Sequence, residues 1–410
     1  MSGSNVSAVV VGGGLNALGV IRSLGAGGVP VTVVAAATGF VAMDSRHARK
    51  RVVSPVEGPA LIATLEALAR DAGESPVLFL TEEKTVRTVS EHRDAVASRY
   101  RIRLPAHDTL MALMHKQGFQ ELAERCGAPV PRCVHLRSHE DLPALRALKF
   151  PCVLKPSEKN YQYGARFKKG YVVRSPADVE RLYAEIAPVL PDMVVQEWID
   201  GDDSDVYFCL QYVGENGATV ASFPGRKIRS WPPKIGGTAS CTAAWTDADA
   251  LARATQGFFA GVGFTGMGSM EYKRDRRDGR FYMIEPTVAR TDFQQEVATV
   301  HGINIPLAAW CHETGVSPAR ALRPNRPMRI VWREPETDRQ SIAAQGGNGE
   351  FDALPSCSAY WRCSDPGPWF YWLRRWVLAR ARGVRRRILG RFAAERMDVR
   401  SKNTSTTEMH

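Results

Sequence analysis

The chain has 410 residues, 44% hydrophobic and 24% charged, a composition that suits two or three folded domains and excludes a disordered or fibrous protein. Its net charge of +11 favours an anionic partner: nucleotide, nucleic acid or acidic membrane. No stretch has the length and purity of a membrane span or the layout of a signal peptide, and the eight cysteines form no CxxC or zinc spacing, so reduced thiols in a cytoplasmic protein are expected.

Residues 6–36, "VSAVVVGGGLNALGVIRSLGAGGVPVTVVAA", read as strand, glycine turn, helix and strand. With a helix in "PALIATLEALARDAG" and a strand in "SPVLFLT", this is a βαβ pattern, and residues 1–105 are expected to form a Rossmann-like α/β domain. Gly12-x-Gly14-x-x-Ala17 has the context of a dinucleotide fingerprint, but the second strand ends in "VVAAATG" without the acid that would hold a ribose. A glycine turn able to receive a carboxylate or phosphate is the simpler reading; an NAD(P)-dependent oxidoreductase is the alternative.

Two helices are expected over 105–127, then strands at "CVLKP" (152–156), "GYVVR" (170–174) and "MVVQEWI" (193–199). Between the first two lies a polar loop carrying Lys159, Arg166, Lys168 and Lys169, suited to covering a polyphosphate. A meander follows in "SDVYFCLQYV" and "GATVASFPGRKIR", then a helix near 248–261, and the strands "GSMEYKR" and "RFYMIEP". One helical segment is expected over 292–316. Glu285 interrupts an apolar run that Pro286 closes, a costly place for a charge unless something pairs with it.

Lys116, "VLKP", the basic loop, "VVQEWIDGDD", "GRKIRSWPP", "GSMEYKRD" and "YMIEPTVAR" occur in an order that resembles the ATP-grasp superfamily, in its carboxylate–amine ligase-like branch, over about 5–315. The resemblance implies a Rossmann-like (pre-ATP-grasp) domain and a two-subdomain α+β core, split at 106–200 and 201–330, with an extension over 331–410. It implies ATP and Mg2+ as cofactors. Lys116 and Lys155 would contact phosphates, Gln196, Glu197 and Ile199 the adenine, and Asp203 the ribose. Glu271 and Glu285 would hold the metal. Thr287 stands where the family often has asparagine, so it would be a weaker third ligand. Lys227, Arg229 and Arg290 would offset charge on the transferring phosphoryl group. Lys227 and Arg229 are expected on one face of their strand, and the Gly236-Gly237-Thr238 turn beside a substrate carboxylate.

The implied reaction is acylphosphate formation from a small carboxylate, followed by capture with an amine to give an amide. Members of the superfamily are often dimeric, so a homodimer is one expectation. The departure at Thr287 keeps open an ATP-binding scaffold or regulatory protein of weakened activity. One geometric expectation comes from the residues alone. For Glu271 to oppose Glu285 across a hairpin, paired positions must sum to 556, which calls for a three-residue loop at Arg277-Asp278-Gly279.

Residues 366–392 form a basic amphipathic pattern with eight arginines and Trp369, Leu373, Val377, Val384, Ile388 and Phe392 near helical spacing. Packing on the domain and lying on an anionic membrane at its inner face are both open readings; a nucleic-acid contact is less favoured because no other recognition motif accompanies it.

Overall fold

Three sheets organise the computed structural model, which describes residues 6–157, 161–323 and 329–381. The first contains β1 (Ala8–Val11), β2 (Val31–Ala35), β3 (Ala48–Val52) and β4 (Val77–Leu80), all parallel in the order β3-β2-β1-β4. The strands β1 and β4 are wholly buried, as uninterrupted apolar runs in a helix-covered parallel sheet should be. The edge strand β3, "ARKRV", is exposed, and its charges disfavour pairing with another chain.

The second sheet is antiparallel: β5 (Cys133–Leu136), β6 (Cys152–Pro156), β7 (Tyr171–Val173) and β8 (Met193–Glu197), in the order β5-β8-β6-β7. Its alternation is strict. Leu136, Cys152, Leu154, Val173, Met193 and Val195 enter one apolar core with Tyr183 and Ile186, which leaves Cys133, His135, Lys155, Val194 and Gln196 on the opposite face.

The third sheet holds β9 (Val206–Val213), β10 (Thr219–Trp231), β11 (Gly237–Ala243), β12 (Gly266–Arg274), β13 (Phe281–Val288), β14 (Val331–Arg333) and β15 (Ser356–Ser358), in the order β13-β12-β9-β10-β11-β14-β15. Because β14 and β15 complete this sheet, the extension expected from 331 begins later: the chain divides into one unit ending at Ala359 and a second beginning at Tyr360. The loop after β6 contains a helix, Tyr161–Arg166, while Lys159 lies outside the described residues. The helical segment expected over 292–316 is two helices, Glu296–Val300 and Ile305–Glu313, because Gly302 adopts a left-handed φ of 88° between them.

The β12–β13 hairpin corrects two expectations. β13 does not end at Glu285 but continues to Val288; Pro286 is tolerated because β13 is an edge strand. Nor is the loop three residues long. Asp275 N–H donates to Arg280 O, leaving four loop residues, 276–279, and Tyr272, Lys273 and Arg274 pair with Met283, Tyr282 and Phe281. A register shift beyond Tyr272–Met283 leaves Ile284 as an extra residue, and Glu271 then pairs directly with Glu285. The opposition of the two acids is therefore set by a bulge rather than by the turn.

In the second unit a helix covers 367–381, with Trp361 against Trp369, Tyr360 against Trp372, and Arg380 over the Trp376 ring at 4.0 Å. Val384, Ile388, Phe392 and Arg382, Arg385, Arg386, Arg387 and Arg391 of the basic pattern lie outside the described residues.

Candidate active site

A cleft of about 690 Å³, open to solvent, separates the second and third sheets. From the second sheet it is lined by the polar face of β5, β6 and β8: Cys133, His135, Lys155, Val194 and Gln196. Glu285, Pro286, Val288 and Arg290 line it from the end of the third sheet, and Glu83 from the segment after β4. Lys116 enters from the first turn of the helix Lys116–Arg125. That helix turns sharply from His107–Met114, and only glycine fits at 118, where a Cβ would lie 2.5 Å from Ala112 O.

Lys116 Nζ donates to Pro156 O at 2.9 Å and Lys155 Nζ to Gln196 Oε1 at 2.7 Å, so both ammonium groups are held at the end of β6. Burial and, next, the Lys116 charge push the Lys155 pKa down to about 8, only partly offset by Glu285. Two cations so close favour the arrival of an anion.

Gly225 has no Cβ to obstruct the Phe208 ring, which would lie 2.2 Å from one, and two residues on Lys227 reaches across to Glu271. Lys227 Nζ donates to Glu271 Oε2 at 2.6 Å. Burial works against the Lys227 charge, yet Glu271, Asp292 and Glu285 outweigh it and hold its pKa above the ordinary lysine value. Glu285 is exposed and has no hydrogen-bond or ion-pair partner among the described residues. It was expected to be a buried charge; it is instead a carboxylate left open on the cleft. Two like charges directly opposed on neighbouring strands are unfavourable unless a cation intervenes, and Lys227 serves only one of them closely.

Several expected site residues lie elsewhere. Gln196 and Glu197 are consecutive on β8, so only Gln196 faces the cleft; Glu197 accepts from Lys149 N–H at 2.8 Å. The backbone N–H groups of Glu197 and Trp198 donate to Arg132 O and Pro151 O, and so are spent before any adenine arrives. Ile199 is buried outside the cleft lining. Asp203 is buried and accepts from Ser230 N–H, Lys234 N–H and Gln345 Nε2 at 2.7–2.9 Å, a structural junction rather than a ribose acceptor. Arg229 is likewise buried, bound to Asp338 and Asp352. It does not share a face with Lys227, because the β10–β11 register shifts between them.

Arg290 remains in the cleft, ion-paired to Glu83 at 3.1 Å, and follows Ala289, whose φ is 56°. Thr287 Oγ1 donates to Asp292 Oδ1 at 2.6 Å. Asp292, Glu83, Cys133 and His135 belong to no motif in the sequence; strand alternation places Cys133 and His135 opposite Gln196 and Val194, but no local signal marks the two acids. At the N-terminal glycine turn, Gly13 N–H donates to Glu82 Oε1 at 3.3 Å and Phe40 packs where a Gly13 Cβ would be, so the turn is filled by the chain itself.

The fold matches solved structures over most of its length. N5-carboxyaminoimidazole ribonucleotide synthetase in its ADP complex aligns with a TM-score of 0.60 and 16% identity, covering 80% of this chain and 81% of that one. The ATP-complexed biotin carboxylase of Campylobacter jejuni aligns at 0.59 and 16%, covering 78% and 74%. The chain has an ATP-grasp fold. A D-aspartate ligase of Enterococcus faecium is 22% identical over 268 residues, which cover 60% of this chain. The match spans 62% of that relative, and no family model matches the chain. The MgADP-bound biotin carboxylase domain of a 2-oxoglutarate carboxylase from Hydrogenobacter thermophilus, a dimer, aligns at 0.59 with 15% identity, covering 78% and 72%. The sheets β5–β8 and β9–β15 face each other across the cleft.

Proposed function

We propose that the protein is an ATP-dependent ligase that activates a small carboxylate as an acylphosphate and joins it to an amine. The observation that carries this reading is Glu285, an unpartnered carboxylate directly opposite Glu271, in the cleft that also holds Lys116 and Lys155. The chemistry of the donors fits a magnesium ion. Among the described residues no three His, Cys, Asp or Glu side chains converge on one point, and magnesium with a nucleotide needs only one or two protein carboxylates, taking its other ligands from phosphates and water. Bound there, it would neutralise triphosphate charge and polarise the phosphoryl group.

The chain's own residues then divide the work. Lys116 and Lys155 hold phosphate oxygens, with Gln196 orienting Lys155. Lys227 shields Glu271 from Glu285 and faces the same centre. Arg290, tethered by Glu83, receives anionic charge on the substrate or the transferring group. The protein needs no nucleophile of its own: it aligns two substrates and excludes water from a mixed anhydride that water would destroy. The D-aspartate ligase relative makes amino-acid dicarboxylates the first substrates to test.

The test is ADP release from MgATP with pooled carboxylates, amino acids among them, and pooled amines. Release that requires both pools supports the ligase. ATP binding with no release under any pool supports the scaffold reading, which rests on Thr287 standing where the family often has asparagine.

We further infer that the second unit attaches the enzyme to an anionic membrane surface. Phe370, Val377 and Leu378 are 59%, 50% and 48% exposed, on a helix that also bears Arg374, Arg375 and Arg380. Among the described residues no helix is long and apolar enough to cross a membrane. Co-sedimentation with vesicles containing phosphatidylserine, by the full chain but not by one ending at 359, is expected; equal sedimentation of both contradicts it.

A further inference from the structure

Thr287 and Asp292 form a hydrogen-bonded pair beside Glu285. Thr287 lies two residues beyond Glu285 on β13, so the two side chains share a face. Directly across the ladder from Thr287 is Ser269, and across from Glu285 is Glu271. Two hydroxyls and two carboxylates thus form a four-membered polar patch at the edge of the third sheet. Ser269 is 1% exposed and its Oγ has no hydrogen-bond partner, an arrangement that costs free energy unless something supplies a contact.

A threonine hydroxyl has one proton and two lone pairs. At Thr287 the proton is committed to Asp292 at 2.6 Å, a short charge-assisted bond that raises electron density on the oxygen and fixes its rotor. Asp292 also sits in the field of Lys227, so its charge is held close to the same centre. Such an acceptor outside the immediate ligand set is a standard means of orienting and strengthening a neutral ligand.

We propose that Asp292 is a positioning residue for the cation site of Glu271 and Glu285, acting through the Thr287 hydroxyl. The pair would do the work of a carboxamide oxygen: threonine presents the lone pairs, and the aspartate five residues on supplies the polarisation that a bare hydroxyl lacks. This rests on the ligase reading only in its placing of a divalent ion at Glu285.

The test uses Mn2+ as the probe on the full chain, with binding to the protein in the presence of a non-hydrolysable ATP analogue followed by electron paramagnetic resonance. Binding of the analogue in EDTA is measured alongside. Asp292→Asn, which keeps shape and removes charge, is expected to weaken Mn2+ binding about 10-fold and leave metal-free analogue binding unchanged. Thr287→Val is expected to do the same, the double variant to be no worse than either single one, and Thr287→Ser to retain wild-type affinity. Thr287→Asn supplies its own carboxamide, and in that background Asp292→Asn is expected to have no further effect. Wild-type Mn2+ affinity in Asp292→Asn, while Glu285→Gln loses it, overturns the proposal and spares the metal site. If Glu285→Gln also binds Mn2+ normally, the metal reading itself fails.

Discussion

Lys227→Met separates the role of the buried lysine from that of the ion proposed beside it. In the wild type the ammonium lies 2.6 Å from Glu271, whose side chain is 34% exposed, and shields it from Glu285 on the adjacent strand. Methionine fills much of the same volume but removes the charge. The loss of a charge-assisted hydrogen bond costs about 1.5–3 kcal/mol. Opposed side chains on paired strands are about 5 Å apart at Cβ, so the bare repulsion is about 3 kcal/mol at an effective dielectric of about 20 and under 1 kcal/mol in water. Because Glu285 is exposed, the lower end applies. The sum is a destabilisation of about 2–4 kcal/mol without metal. Urea unfolding followed by tryptophan fluorescence, with and without Mg2+, measures it. The variant is expected to lose stability in EDTA and to regain more than the wild type gains when Mg2+ is added, since the ion then replaces the missing charge. Equal stability of the two proteins in EDTA, or a smaller gain from Mg2+ in the variant, would refute the reasoning.

Three further outcomes follow from the same geometry. Burial and Lys116 hold Lys155 near a pKa of about 8, so it is charged below that pH and neutral above it. A bound phosphate favours the charged form, and metal-free ATP affinity is expected to fall about 10-fold between pH 7 and 9, with Lys155→Met flattening that part of the profile in isothermal titration. Arg229→Met leaves Asp338 and Asp352 facing each other with Arg333 as their remaining cation; a loss of about 3 kcal/mol is expected in urea unfolding, with ATP affinity of the folded protein unchanged. Gly225→Ala forces Phe208 to move, since the new Cβ would lie 2.2 Å from the ring; an overpacking cost of about 1–3 kcal/mol is expected by the same measurement.

Much of the fold was legible because apolar periodicity is local. The helix at 248–261 and the strand at 152–156 fall where their sequences place them. The cleft residues were legible to the extent that strand parity is. Lys155 and Gln196 share the polar face of their sheet, and the same parity argument excludes Glu197, which stands next to Gln196. What the sequence hides is long-range. Asp203 is claimed by donors at 230, 234 and 345, and Arg229 by acids at 338 and 352, partners that no local pattern announces. Bulges hide equally well. One separates Lys227 from Arg229, and another lets a four-residue hairpin loop bring Glu271 opposite Glu285. In both cases parity counted along the chain gives the wrong face, or the right face for the wrong reason. Thr287 looked like a weak substitute for asparagine because its acceptor, Asp292, becomes a neighbour only after the chain turns at Ala289.

The central claim is that Glu285 and Glu271 share a divalent ion, and Glu285→Gln tests it most directly. The substitution keeps size and hydrogen-bonding capacity and removes the charge at an exposed position. ADP release from MgATP, with the substrates identified by the pooled assay, is expected to drop at least 100-fold, while metal-free ATP binding persists. Turnover at the wild-type rate would contradict the account.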